Sequence, residues 1–156
     1  TLNLNSVKSP QPTLQMNLVV SHSVTVNASP ESLWEVLTDP EKIKIYLFGT
    51  ETITDWNVGS PISFQGNYEG QTYHDKGNVL EVEKNKILKY NYWSSFSGLK
   101  DQLENYALVT YKLEQKNNGQ TVFTWQQEGF ANEAGKCHSE NGLKAMLDQI
   151  KKIAEV

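Results

Sequence analysis

Two places in the 156-residue chain set reactive side chains next to one another. Tyr73-His74-Asp75 holds an imidazole between a phenol and a carboxylate, and histidine titrates near neutrality, as an acid–base catalyst must. Successive residues of an extended strand face opposite sides, however, so His74 meets neither neighbour without a bulge. The plainer reading is a surface or strand-end residue. Cys137-His138-Ser139 places a thiol beside a base, but adjacent residues on a helix diverge by about 100° and no third group orients the imidazole. Glu81 and Glu83 share one strand face and read as a solvated outer edge. The histidines at 22, 74 and 138 are scattered and Cys137 stands alone, which is not metal-ligand spacing. No glycine-rich loop follows a strand in phosphate-binding fashion. The residues predict no catalytic group, no metal and no cofactor.

Aromatic residues make up 10% of the chain, and most fall where apolar and polar residues alternate. Parity decides which of them meet: Phe123 with Trp125, Ile62 with Phe64, and Val109 with Tyr111 and Leu113 each share one strand face. These sets are expected to point inward, either as an ordinary core or as the lining of a cavity. Tyrosine and tryptophan suit a cavity because a buried hydroxyl or indole N–H needs a partner, and flexible Met146 suits a pliable wall.

The elements that position these groups are legible. Val20–Val26 alternates as a strand, then Ser29-Pro30-Glu31 supplies an N-cap hydroxyl, a proline for the first helical turn and an acid near the positive helix end. Asp39-Pro40-Glu41 stops that helix and caps a second, which Gly49 ends. Alternating runs follow at Glu51–Trp56, Pro61–Gly66, Thr72–Glu83, Ile87–Ser94, Leu103–Glu114 and Thr121–Glu128, separated by turn residues such as Glu69-Gly70 and Lys84-Asn85. From about Asn132 to Glu155, Leu143, Met146, Leu147, Ile150 and Ile153 form one stripe opposite Lys144, Asp148, Lys151 and Lys152. The fold class is therefore α+β: a seven-stranded antiparallel sheet, two short helices after the first strand, and a long C-terminal helix over the sheet. Residues 1–17, polar and carrying Pro10 and Pro12, are expected to be a weakly ordered tail before a single domain over 18–156. Ser95–Gln102 carries Phe96 and Leu99, and reads as a long hairpin connection or a gate at a cavity mouth.

Composition limits the partners. The formal charge is -4 and every basic side chain is a lysine, so the basic stripe and guanidinium forks of nucleic-acid binders are missing. A lone cysteine, no long apolar window and no signal-peptide pattern in the first 15 residues lead to the expectation of a cytoplasmic chain without a membrane span.

The run Val24 to Glu41, VTVNASPESLWEVLTDPE, resembles the opening of the SRPBCC (START-like) superfamily, in the branch related to the activator of the heat-shock-protein-90 ATPase. Gly77-Asn78-Val79-Leu80-Glu81-Val82, Ser97-Gly98 with Glu104-Asn105-Tyr106, and Val109 to Leu113 are similar to later family segments. Gly142 to Lys151 is similar to the closing helix, with Leu143 where a tryptophan is usual. The resemblance implies a helix-grip fold, in which a curved sheet wraps the long helix around an apolar cavity that holds lipids, hormones or polyketides in many members. Other members are enzymes, and the named branch contacts a chaperone, so fold alone leaves function open. The leading expectation is non-catalytic binding of a hydrophobic or amphipathic small molecule between the sheet and the helix over 139–154. Phe48, Trp56, Phe64, Trp93, Trp125 and Met146 are the expected wall, with Tyr111 as a hydrogen-bonding handle. The alternatives are a chaperone-associated interaction module with a stress-related role, and a cyclase or hydrolase working through His74 or a buried tyrosine.

Overall fold

The computed structural model describes residues 19–94, 100–129 and 133–155; the tail over 1–17, the loop residues Phe96 and Leu99, and the side chains of Cys137, His138 and Ser139 lie outside what it describes. Strand β1 (Val19–Val26) is followed by helices α1 (Pro30–Thr38) and α2 (Pro40–Tyr46). Strands β2 (Glu51–Ile53), β3 (Pro61–Tyr68), β4 (Gln71–Glu83), β5 (Ile87–Tyr92), β6 (Ala107–Gln115) and β7 (Thr121–Glu128) follow, with a 3₁₀ turn at Leu103–Asn105 before β6, and helix α3 (Glu133–Ala154) closes the chain.

Both short helices begin as their sequences dictate. Ser29 accepts from the Ser32 N–H and Asp39 from the Glu41 N–H, with proline in the first turn each time, where no backbone donor is lost. The strands form one antiparallel seven-stranded sheet in the order β1-β7-β6-β5-β4-β3-β2, so β2 to β7 run as a meander and β1 closes onto β7. The core joins the inner sheet face to Leu33, Val36 and Leu37 of α1, Ile43 and Tyr46 of α2, and Leu143, Leu147 and Ile150 of α3. Lys151 donates to the Thr25 carbonyl and Glu155 accepts from the Asn27 N–H, pinning the end of α3 to the end of β1. The architecture is the α+β helix-grip fold.

Two strand boundaries and one strand interior depart from the sequence reading in ways that bear on the site. Strand β2 stops at Ile53, because Thr54 and Asp55 turn back on the chain through side-chain bonds to the N–H groups of Trp56 and Asn57, and Trp56 itself has φ 61°. Residues 103–105 form a 3₁₀ turn, so β6 starts only at Ala107. Strand β4 carries a bulge between Val79 and Glu81, which leaves Leu80 exposed and brings Val82 back to the core side.

Candidate functional site

Period two puts Leu88, Tyr90 and Tyr92 of β5 on the face that meets the helices. Register aligns Tyr111 with Leu88 and Trp125, and Val109 with Tyr90, so an aromatic band crosses the inner face from β7 to β5. Its rings meet edge-on or tilted: Tyr111 lies 4.6 Å from Trp125, 5.6 Å from Phe123 and 5.7 Å from Tyr90, and Phe64 lies 5.6 Å from both Tyr90 and Tyr92.

Hydroxyl groups are set within this apolar band. Tyr46 donates to the Leu37 carbonyl at 3.0 Å, and a carbonyl only accepts, so the Tyr46 proton is committed there. Tyr90 Oη and Tyr111 Oη lie 2.9 Å apart and share a hydrogen bond that either hydroxyl is able to donate. Burial lifts the phenol pKa of Tyr46, Tyr90 and Tyr111 above the ordinary tyrosine value, so these hydroxyls stay protonated at neutral pH.

A second polar pair sits toward β3. Asp75 is only 6% exposed, and its Oδ2 accepts from the Tyr92 hydroxyl at 2.6 Å. Burial first, then the nearby Asp75 charge, pushes the Tyr92 phenol well up. Asp75 is paired across the sheet with Phe64, and Phe64 with Thr52, so the three form one lateral row on the inner face. Thr52 is 6% exposed, and its Oγ1 is buried without a hydrogen-bond partner. In the next row Tyr73 bonds Thr50 Oγ1 and lies over Gly66, where any Cβ would meet the Tyr73 hydroxyl at 2.5 Å. Glycine at 66 is thus what lets Tyr73 lie flat at this end of the sheet.

The sequence-predicted wall divides. Phe64, Tyr111 and Trp125 are buried together on the inner face, and half-buried Met146 packs against the same core from α3. Trp56 is half-buried at the edge of the core, where its Nε1 donates to the Thr38 carbonyl at 3.0 Å. Trp93 forms an isolated bridge with Lys76 beyond the end of β5. Phe48 is a correction: it is 62% exposed and forms no part of the wall. Helix α2 ends in a tight turn in which Gly49 donates to the Lys44 carbonyl, and the left-handed φ of 53° at Phe48 swings its ring outward while Leu47 packs inward.

His74 is exposed on the opposite face from Asp75, with Nε2 3.5 Å from Ser63 Oγ, so an enzyme reading that uses His74 fails on geometry. Glu81 and Glu83 lie outside, beside Lys89 and Lys86. Among the described residues no group of three or more His, Cys, Asp or Glu is placed to hold a metal ion, and no helix is long and apolar enough to cross a membrane. A groove of about 640 Å³ opens elsewhere, between the start of α1 and the β4–β5 hairpin, with Lys84, Lys86, Lys112, Glu31 and Glu114 along it. It shares none of the aromatic band.

Sequence reasoning missed Asp75, Thr52, Tyr46, Tyr90 and Tyr92 as site residues. The signal was the same parity that found Tyr111: Asp75 alternates with Gly77 and Val79, and Tyr90 with Leu88 and Tyr92.

The family model described as "Activator of Hsp90 ATPase homolog 1-like protein" matches residues 27–155. The solution structure of ChR145 from Cytophaga hutchinsonii is 36% identical, covers 90% of this chain and 95% of its own, and superposes with a TM-score of 0.76. The Aha1 dimer from Colwellia psychrerythraea, 17% identical, covers 88% and 96% with a TM-score of 0.68. An HSP90 activator from Plasmodium falciparum, 16% identical, covers 86% and 94%, also with a TM-score of 0.68. No curated protein matches. With the family model spanning β2 to β7 and helices α1 to α3, the chain belongs to the family of Activator of Hsp90 ATPase homolog 1-like proteins, within the SRPBCC (START-like) superfamily.

Proposed function

We propose that this chain is a non-catalytic carrier that holds an amphipathic small molecule against the inner sheet face, beneath α3, in the cytoplasm. The observation that carries the reading is polar chemistry set among buried rings: the bonded Tyr90 and Tyr111 hydroxyls, the Tyr46 hydroxyl and the Asp75–Tyr92 pair lie within or beside one aromatic band. A ligand site combines apolar walls with a few placed polar groups, and this inner face has that composition. Phe64, Tyr111, Trp125 and Met146 serve as wall, with half-buried Trp56 and Trp93 toward its margins. Native mass spectrometry of gently purified protein tests it: a recurring non-covalent adduct is expected. Refutation takes two results together, a bare mass and an apolar probe panel that shifts no resonance of Tyr111, Trp125 or Met146.

A second reading, docking to a chaperone, is favoured by the family match and by the HSP90 activator among similar structures. It predicts recovery of that chaperone on the immobilised chain at physiological salt, with no dependence on inner-face substitutions. The exposed apolar residues Ile45, Phe48 and Ile53 supply surface for it.

A further inference from the structure

We infer that Asn118, at the tip of the β6–β7 hairpin, is a site of covalent self-modification: the Gly119 backbone nitrogen attacks its side-chain amide, ammonia leaves, and an aspartyl or isoaspartyl residue remains. The substrate is the chain itself, and water is the only co-reactant.

The attacking nitrogen must be free to give up its proton. The hairpin is closed by the Lys116 N–H, which donates to the Gln120 carbonyl at 2.7 Å, and inside that closure the Gly119 N–H has no hydrogen-bond partner among the described residues. The approach must also be open. Asn118 and Gly119 are both exposed, Gly119 takes a left-handed φ of 82° that glycine adopts without strain, and a Cβ placed there would meet nothing within 4 Å. Finally, the attacked carbonyl must lie back along the chain. The Gln120 N–H donates to Asn118 Oδ1 at 3.2 Å, an Asx-type closure that folds the side chain past Gly119 and draws electron density from Cγ.

The step balances. The Gly119 nitrogen lone pair forms a bond to Asn118 Cγ, the Cγ–Nδ2 bond breaks, and the proton lost by the Gly119 nitrogen leaves with Nδ2 as ammonia. The cyclic imide then takes up water at either carbonyl, giving aspartate or, with the main chain rerouted through Cγ, isoaspartate. Gln120 Oε1, which accepts from Asn118 Nδ2 at 2.7 Å, loses that donor and faces a carboxylate, while Gln120 Nε2 bonds Asn27 just past β1. A second Asn-Gly pair, Asn141-Gly142, is an internal control. Gly142 lies within α3, where the helix ladder holds its N–H, so attack there waits for local unwinding.

Full-length chain is incubated in mildly alkaline buffer, natively and in urea, and timed samples are digested with trypsin, which separates residues 117–136 from 137–144. The mass gain of an amide-to-acid change is expected in the first peptide, localised to Asn118 by fragmentation. In the native chain it should accumulate at least about tenfold faster than at Asn141, and in urea, where both pairs are equally free, the two rates should converge. The comparison is read on the unaltered sequence, so it does not depend on a variant folding. Native rates that match, a difference that persists unchanged in urea, or conversion of Asn118 only in urea each overturn the inference.

Discussion

Alkaline titration tests how dry the tyrosine cluster is. Burial raises the phenol pKa of Tyr46, Tyr90, Tyr92 and Tyr111 in the fold, while an unfolded tyrosine ionises at about 10. A raised folded value means that the fold prefers the protonated form. The stability tied to these groups is therefore intact below a pH of about 10 and is lost as pH climbs from there toward the folded values. A phenol that stays neutral in the fold but ionises freely in the unfolded chain withdraws about 0.4 kcal/mol at about pH 10 and about 1.4 kcal/mol at about pH 11. Four such groups withdraw about 6 kcal/mol at about pH 11, against a typical domain stability of about 5–15 kcal/mol. Unfolding near that pH should be cooperative, with phenolate absorbance rising as circular dichroism collapses. Tyr111→Phe, which removes the partner of the buried Tyr90 hydroxyl, should cost about 1–3 kcal/mol at neutral pH and reduce the pH dependence from four groups toward three. If the four tyrosines ionise at about pH 10 while the dichroism holds, water reaches the cluster and the reasoning is wrong.

Two glycines should respond oppositely to alanine. A Cβ at Gly77 would lie 1.8 Å from the Asn91 backbone oxygen, so Gly77→Ala should cost about 3 kcal/mol or more in urea unfolding. Gly142 in α3 has open space around it, and Gly142→Ala should stabilise by about 0.5–1 kcal/mol in the same assay. Thr52→Val removes a buried hydroxyl that has no partner and should raise stability by about 1 kcal/mol in thermal unfolding. Ser29→Ala deletes the N-cap of α1 and should cost about 1 kcal/mol, read from denaturant midpoints.

What could be read from the sequence was set by local rules. The caps of α1 and α2 follow from Ser29-Pro30 and Asp39-Pro40, and the apolar stripe of α3 from its helical spacing, because in each the deciding contacts lie within a turn or two. Strand faces were legible wherever period two held, as at Phe123 and Trp125. Parity broke where the backbone added a residue: Val79 and Val82 both face the core although three positions apart, because the bulge absorbs one. Phe48 was misplaced because its direction depends on a left-handed turn, which ring chemistry does not announce. The site escaped for a different reason. Asp75 and Tyr92 are 17 residues apart and Tyr46 and Leu37 are joined only through the helix packing, so these partners become neighbours only once strand register and helix docking are known.

Stability alone gives no reason for this inner face to be polar. Phenylalanine at 90, 92 and 111 would fill the same volume without a hydroxyl to desolvate, and the hydrogen bonds among the tyrosines return only about what their burial costs. Thr52 returns nothing, since its hydroxyl is buried and unpartnered. Asp75, at 6% exposure, is a carboxylate that gives up most of its hydration and accepts from Tyr92. Groups that weaken the empty protein make physical sense when a bound molecule meets them. The prediction that Thr52→Val stabilises the chain is the sharpest form of this argument, because a hydroxyl serving the fold would cost stability when removed.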